Sequence, residues 1–122
     1  MSATSPGQLP QLFQRAQEAG DLDAAMALFE PGAVFSDAQG KVSSGLDAIR
    51  ETMASFFAMK ADHRITTLKV IEAGDIALND NVVTLRAGAA EMSGSVIEIT
   101  RRQADGRWLY VMIFHAHGDH RN

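Results

Sequence analysis

Residues 92–117 read MSGSVIEITRRQADGRWLYVMIFHAH, and this stretch decides the fold class. Val96, Glu98 and Thr100 alternate with Ile97 and Ile99, the two-residue period of a β-strand. Asp105-Gly106 is the strongest hairpin signal in the chain, because both residues tolerate the positive φ of a tight turn. The strand that returns, Arg107 to His117, carries Trp108, Tyr110, Met112 and Phe114 on one expected face. Leu109, Val111, Ile113 and His115 fall on the other. Both faces are apolar. One is expected to cover helices and a pocket, and the other to be buried by a second copy of the chain.

Working outward from this hairpin, two more strands precede it. Arg64 to Glu72 is rich in Ile, Thr, Leu and Val, and Ala73-Gly74-Asp75 turns the chain into a strand from Ile76 to Arg86. Asn79-Asp80-Asn81 reads as a bulge in that strand. Gly88-Ala89-Ala90 makes the next turn. The N-terminal half reads as helix. Leu9, Leu12, Phe13 and Ala16 recur at helical spacing until Gly20, and Asp21 caps a second helix with Leu22, Ala25, Met26 and Phe29 on one stripe. Pro31-Gly32 is expected to stop it. A short strand, residues 33–36, leads into the polar loop Asp37-Ala38-Gln39-Gly40. A third helix begins after Gly45, turns Leu46, Ile49, Met53, Phe56 and Phe57 inward, and ends near Met59. Helices followed by a strand meander predict an α+β fold: three helices in the concave face of a strongly curved, mainly antiparallel sheet, forming a cone-shaped barrel.

The 122 residues amount to one domain, with residues 1–7 and 118–122 expected as loose termini. At 46% hydrophobic the chain has enough apolar mass for a core. It contains no cysteine, which excludes disulfides, thiolate metal sites and a cysteine nucleophile and fits a cytoplasmic protein. The net charge is −4 without a basic face, so nucleic acid is not an expected partner. No signal segment is visible, and no apolar run approaches the roughly 20 residues that span a bilayer. Phosphate loops, Ser-His-Asp sets and dinucleotide fingerprints are missing, and nothing calls for a cofactor. The expected partners are a small apolar organic ligand and a second copy of the chain.

Several segments resemble a known group. Gly20-Asp21-Leu22-Asp23 ahead of Ala27-Leu28-Phe29, and then Ala33-Val34-Phe35-Ser36-Asp37, are similar to the N-terminal half of the ketosteroid isomerase-like and SnoaL-like proteins of the nuclear transport factor 2 superfamily. Gly45-Leu46-Asp47-Ala48-Ile49-Arg50 resembles the start of that family's third helix, and Ser93 to Arg102 with Asp105-Gly106-Arg107-Trp108 resembles its closing hairpin. The resemblance covers about residues 9–117. It implies a conical fold, an interior pocket and a dimer. It says less about reaction, because one scaffold hosts isomerases, cyclases, dehydratases, epoxide hydrolases and non-enzymes. In ketosteroid isomerases a general-base Asp ends the first short strand, the place of Asp37, and a protonated Asp in the penultimate strand binds the substrate oxygen, the place of Glu98. The family's tyrosines in the first and third helices are replaced by Phe13 and Met53.

The residues themselves leave two readings at each position. Asp37 is a carboxylate base at a pocket mouth or a turn residue bonding its own backbone. Glu98, in apolar company, is an inward acid or donor, or a structurally paired carboxyl. His115 shares the expected pocket face and pairs with Glu98, relays a proton, or is a hydrogen-bonded core histidine. His63 reads as a rim residue. The expected lining is Phe13, Met53, Phe56, Asn81, Val83, Leu85, Val111 and Ile113. His115, His117, Asp119 and His120 alternate in a way that suits zinc or nickel, yet the last two fall in the tail, and no native metal site is expected.

Overall fold

The computed structural model describes residues 2–116. Helix α1 spans Leu9–Ala19, and Gly20 ends it in the left-handed region (φ 68°), where its N–H reaches the carbonyls of Ala16 and Gln17. Asp21 then caps α2 (Leu22–Met26), its carboxylate accepting from the Ala24 N–H at 3.0 Å. Phe29 does not extend the α2 stripe; it opens strand β1 (Phe29–Ser36). Pro31-Gly32 therefore does not punctuate a helix. It lies inside β1, where pairing is irregular between Phe29 and Val34, because proline has no N–H to give a ladder. Strand β2 (Val42–Ser44) is too short to show periodicity and has no counterpart among the expected elements. Helix α3 covers Leu46–Ala58, as its apolar stripe predicts.

The long strands follow: β3 (Asp62–Ala73), β4 (Ile76–Ala87), β5 (Ala90–Arg102) and β6 (Trp108–His115). The sheet order is β2-β1-β6-β5-β4-β3, antiparallel throughout except for the parallel pair β1–β6. It is an open six-stranded mixed sheet with β2 and β3 as edges, so the cone does not close into a barrel. Helices α1 and α3 fill its concave side. Gln17 of α1 donates to the Ala61 carbonyl at 3.1 Å, and the Ile65 N–H donates to Gln14 at 2.8 Å, pinning α1 to β3. The Ser43 and Thr52 hydroxyls meet at 2.8 Å and tie α3 to β2. Leu9, Ile49, Met53, Trp108 and Tyr110 are buried in one core. No helix among the described residues is long and apolar enough to cross a membrane.

Three expectations need correction. The bulge beside Asn79-Asp80-Asn81 belongs to the partner strand: Thr67 pairs with Asn81 and Lys69 with Asp80, so Leu68 is the extra residue. In β6, Thr100 faces Tyr110 while Ile99 faces Met112, so Val111 is extra there. A one-residue insertion reverses the alternation beyond it. Tyr110 is thus fully buried on the inner side with Ile113 and His115, while Met112 and Phe114 face outward, 44% and 48% exposed. Finally, the segment before α1 is not loose. Ala3 is buried, its carbonyl accepts from the Trp108 N–H at 3.0 Å, and Pro6 is buried at the start of a short 3-10 turn, Pro6–Gln8. Residues 117–122 lie outside the described residues.

Because Ile49 is wholly buried between α3 and the sheet, replacing it with Ala is expected to lower the unfolding free energy by about 2–5 kcal/mol, measured by denaturant titration. A loss below about 1 kcal/mol would mean that α3 does not anchor the core.

Candidate functional site

A cavity of about 1040 Å³ lies between α1, α3 and the concave face of the sheet. Phe13, Met53 and Phe56 line it from the helices, and Ile65, Val83, Leu85, Val96 and Ile113 from the strands. Polar side chains line it too, several serines among them. Asp37 and Lys41 stand in the β1–β2 loop, Glu51 and Thr52 on α3, and His63, Glu98 and His115 on the sheet. Of the expected lining, Asn81 and Val111 do not reach the cavity. Val111 is displaced by its own bulge. Asn81 is fully buried behind the wall, paired with Val96.

Glu98 is the centre of the polar end. It sits inward on β5 because Val96 and Thr100, two residues to either side, are also buried. Asn79, opposite it on β4, donates to Glu98 Oε1 at 3.1 Å. The Asn81 amide and the Tyr110 hydroxyl are close enough to favour the charged carboxylate, although neither makes a hydrogen bond of normal geometry. Burial outweighs these donors and pushes the Glu98 carboxyl up from 4.5 to about 7. The Tyr110 phenol is driven well above its ordinary range by burial and by the neighbouring carboxyl.

The two histidines are also shifted, in the other direction. His63 is buried rather than at the rim. Its ring packs edge-on against Phe13 and Phe56, at centroid distances of 5.9 and 5.1 Å. Desolvation, helped by His115, lowers it from 6.5 to about 4, so it is neutral at physiological pH. His115 does not hydrogen-bond Glu98. Its Nδ1 lies 3.0 Å from the Ser36 carbonyl, and its ring packs against Phe35. A carbonyl only accepts, so Nδ1 must hold the proton in the neutral ring, which leaves Nε2 with a free lone pair. Desolvation lowers the His115 pKa against the opposing effects of that carbonyl and Asp37.

Asp37 holds its own turn and also borders the cavity. Its Oδ1 accepts from the N–H groups of Gln39 and Lys41, each at 2.9 Å, and so builds the β1–β2 turn, while its side chain lines the cavity mouth. Among the described residues no three His, Asp or Glu side chains are grouped to hold a metal, and His117, Asp119 and His120 lie outside them.

Three residues take places in the structure that differ from those expected from the sequence. Asn79 shares a strand face with Asn81, and that spacing was a usable signal for a polar inward pair. Tyr110 was hidden by the bulge. His63 was hidden because burial at the end of a strand depends on the helices that pack over it.

Comparison with curated proteins gives no match. Solved structures match in fold. A calcium/calmodulin-dependent protein kinase type II association-domain candidate from Thiobacillus denitrificans is 20% identical, with a TM-score of 0.83 over 95% of this chain and 97% of its own. A ketosteroid isomerase-like protein from Erwinia carotovora atroseptica is 17% identical, with a TM-score of 0.72 over 90% and 91%. A protein from Catenulispora acidiphila, solved in complex with S-DNPA, is 20% identical, with a TM-score of 0.73 over 91% and 89%. At these identities the likeness concerns the fold. The SnoaL-like domain model matches residues 11–117, nearly the entire length from α1 to the end of β6, and the chain therefore belongs to the SnoaL-like domain family.

Proposed function

We propose that this protein is a cofactor-independent enzyme that moves a proton on a small, apolar, oxygen-bearing molecule, in an isomerisation, cyclisation or dehydration. The observation that carries this reading is Glu98: a buried carboxyl, raised to about 7, at the end of a largely apolar cavity. An acid with its pKa near ambient pH is suited both to hold a proton and to release it. In this reading protonated Glu98 donates to the substrate oxygen. Asp37 takes up the proton at the mouth: its Oδ1 is held by the loop, and Oδ2 remains for the substrate. His115, fixed by the Ser36 carbonyl, offers Nε2 as an acceptor that orients the ligand. Neutral His63 and the aromatic rings beside it favour an uncharged, apolar body. The bound S-DNPA of the Catenulispora protein supports a small-molecule occupant.

A second reading, a ligand-binding or interaction module without chemistry, draws support from Asp37's work in its own turn and from Phe13, which brings no hydroxyl to the cavity. In either reading the exposed outer face, where Met112 and Phe114 flank Ile97 and Ile99 across the β5–β6 ladder, supports a homodimer formed through the sheet. The absence of cysteine fits action in the cytoplasm.

Native mass spectrometry of protein purified without added ligand is expected to find a retained small molecule. Toward the substrate so identified, Glu98→Gln and Asp37→Asn are each expected to lower kcat by about 10²- to 10⁴-fold; full activity in both would leave the binding module as the better reading.

Stability should report the Glu98 proton independently. Between pH 4.5 and 7 the unfolded chain releases this proton and the folded chain keeps it. Its contribution to stability is thus lost as pH rises through that window, then levels off. His63 acts oppositely, since below 6.5 the unfolded chain gains a proton that the folded one refuses until about 4. Comparing wild type with Glu98→Gln cancels the histidine. The variant should gain stability relative to wild type between pH 5 and 8 in denaturant titrations, and a pH-independent difference would mean that Glu98 titrates normally.

The outer face is tested by Phe114→Lys with Met112→Lys. Wild type should run as a dimer and the double variant as a monomer in size-exclusion chromatography with light scattering. A monomeric wild type, or a dimeric variant, would rule out this interface.

A further inference from the structure

We propose that the segment Ala3–Gln8 is a working part of the site, a strap that sets the orientation of Asn79 and through it the placement of the Glu98 proton. The strap is held at both ends. The Ala3 carbonyl accepts from the Trp108 N–H at 3.0 Å, with Ala3 1% exposed. At the other end the Pro6 carbonyl accepts from Asn79 Nδ2 at 2.9 Å, and Gly7 lies over Val70, the β3 residue paired with Asn79. The same Nδ2 donates to Glu98 Oε1 at 3.1 Å.

Chemistry makes this a relay of orientation. The Asn79 side chain is fully buried, and its amide has two donors on one side and an acceptor on the other. A carbonyl only accepts, so Pro6 forces the NH2 group toward itself, and with it toward Glu98. A flipped amide would set oxygen against oxygen at Pro6. Glu98 Oε1 is therefore always met by a donor. In the neutral acid this donor favours Oε1 as the carbonyl oxygen, the better acceptor, and the proton on Oε2. Asn79 is a positioning residue, and the strap also keeps water from the polar end. The titratable groups nearest are Tyr110, beside Glu98 from β6, and in the same cavity His63 from β3, His115 from β6, Asp37 and Lys41 from the β1–β2 loop and Glu51 from α3; among the described residues no Lys or Arg perturbs Glu98.

The consequence for catalysis rests on the reading of Glu98 as the acid, but the coupling is measured without substrate. Carboxyl-carbon NMR of the full chain reads the Glu98 titration midpoint, and hydrogen exchange at the Trp108 amide reports whether the strap is seated. Ala3→Gln, neutral but too large for its place, should expose the Trp108 amide and bring the Glu98 midpoint down by about one pH unit or more, toward the ordinary carboxylate range. Asn79→Leu removes the donor and keeps the site dry, so the midpoint should rise while the Trp108 amide stays protected. Two results would overturn the proposal: an unchanged midpoint in Ala3→Gln with the Trp108 amide exposed, or an unchanged or lowered midpoint in Asn79→Leu with that amide protected. Full turnover by Glu98→Gln would remove the acid role and leave the coupling intact, so the two failures are separable.

Discussion

The extra residue in β6 shapes everything at the polar end of the cavity. Without it, strict alternation along the strand would put Tyr110 on the same side as Met112 and Phe114, away from Glu98. With Val111 inserted, Tyr110 pairs with Thr100 and Ile113 with Glu98, and both point inward. The bulge lets one strand serve two needs. Its first part closes the core with Trp108 and Tyr110, and its second part carries Ile113 and His115 into the cavity. The residues beyond the bulge that turn outward, Met112 and Phe114, form the apolar outer face.

The second constraint is desolvation. The cavity gathers a carboxyl and two imidazoles, and burial drives all three toward their neutral forms: Glu98 upward, His63 and His115 downward. Neutral groups of this kind act by hydrogen bonding inside a largely apolar pocket. The rings of Phe13, Phe35 and Phe56 pack against the two imidazoles. Asp37 lies half-exposed at the mouth, bonded to the backbone of its own turn.

Membership in the SnoaL-like family rests on nearly the whole chain, and the fold is shared with proteins under 25% identical whose descriptions differ widely. Fold and function part company here for a physical reason. The cone is built from apolar periodicity and turns, which many sequences satisfy, whereas the site depends on a few polar residues that the fold does not require.

Local patterns made much of the architecture legible. The stripe from Leu9 to Ala16, the Gly20-Asp21 junction, the alternation of Val96, Glu98 and Thr100, and the Asp105-Gly106 hairpin are each satisfied within a few residues, so they survive without knowledge of neighbours. Glu98 was visible for the same reason: its strand partners are apolar, and period two assigns it a side. Tertiary structure decided the rest. The register slips at Leu68 and Val111 arise from pairing with another strand and leave no local mark. Proline and glycine at 31–32 read as a stop, but β6 holds the flanking residues in a strand. The burial of His63 needs α1 and α3 above it. The strap at Ala3–Gln8 carries no periodicity at all, and only Trp108 and Asn79, some 100 and 70 residues away along the chain, hold it in place.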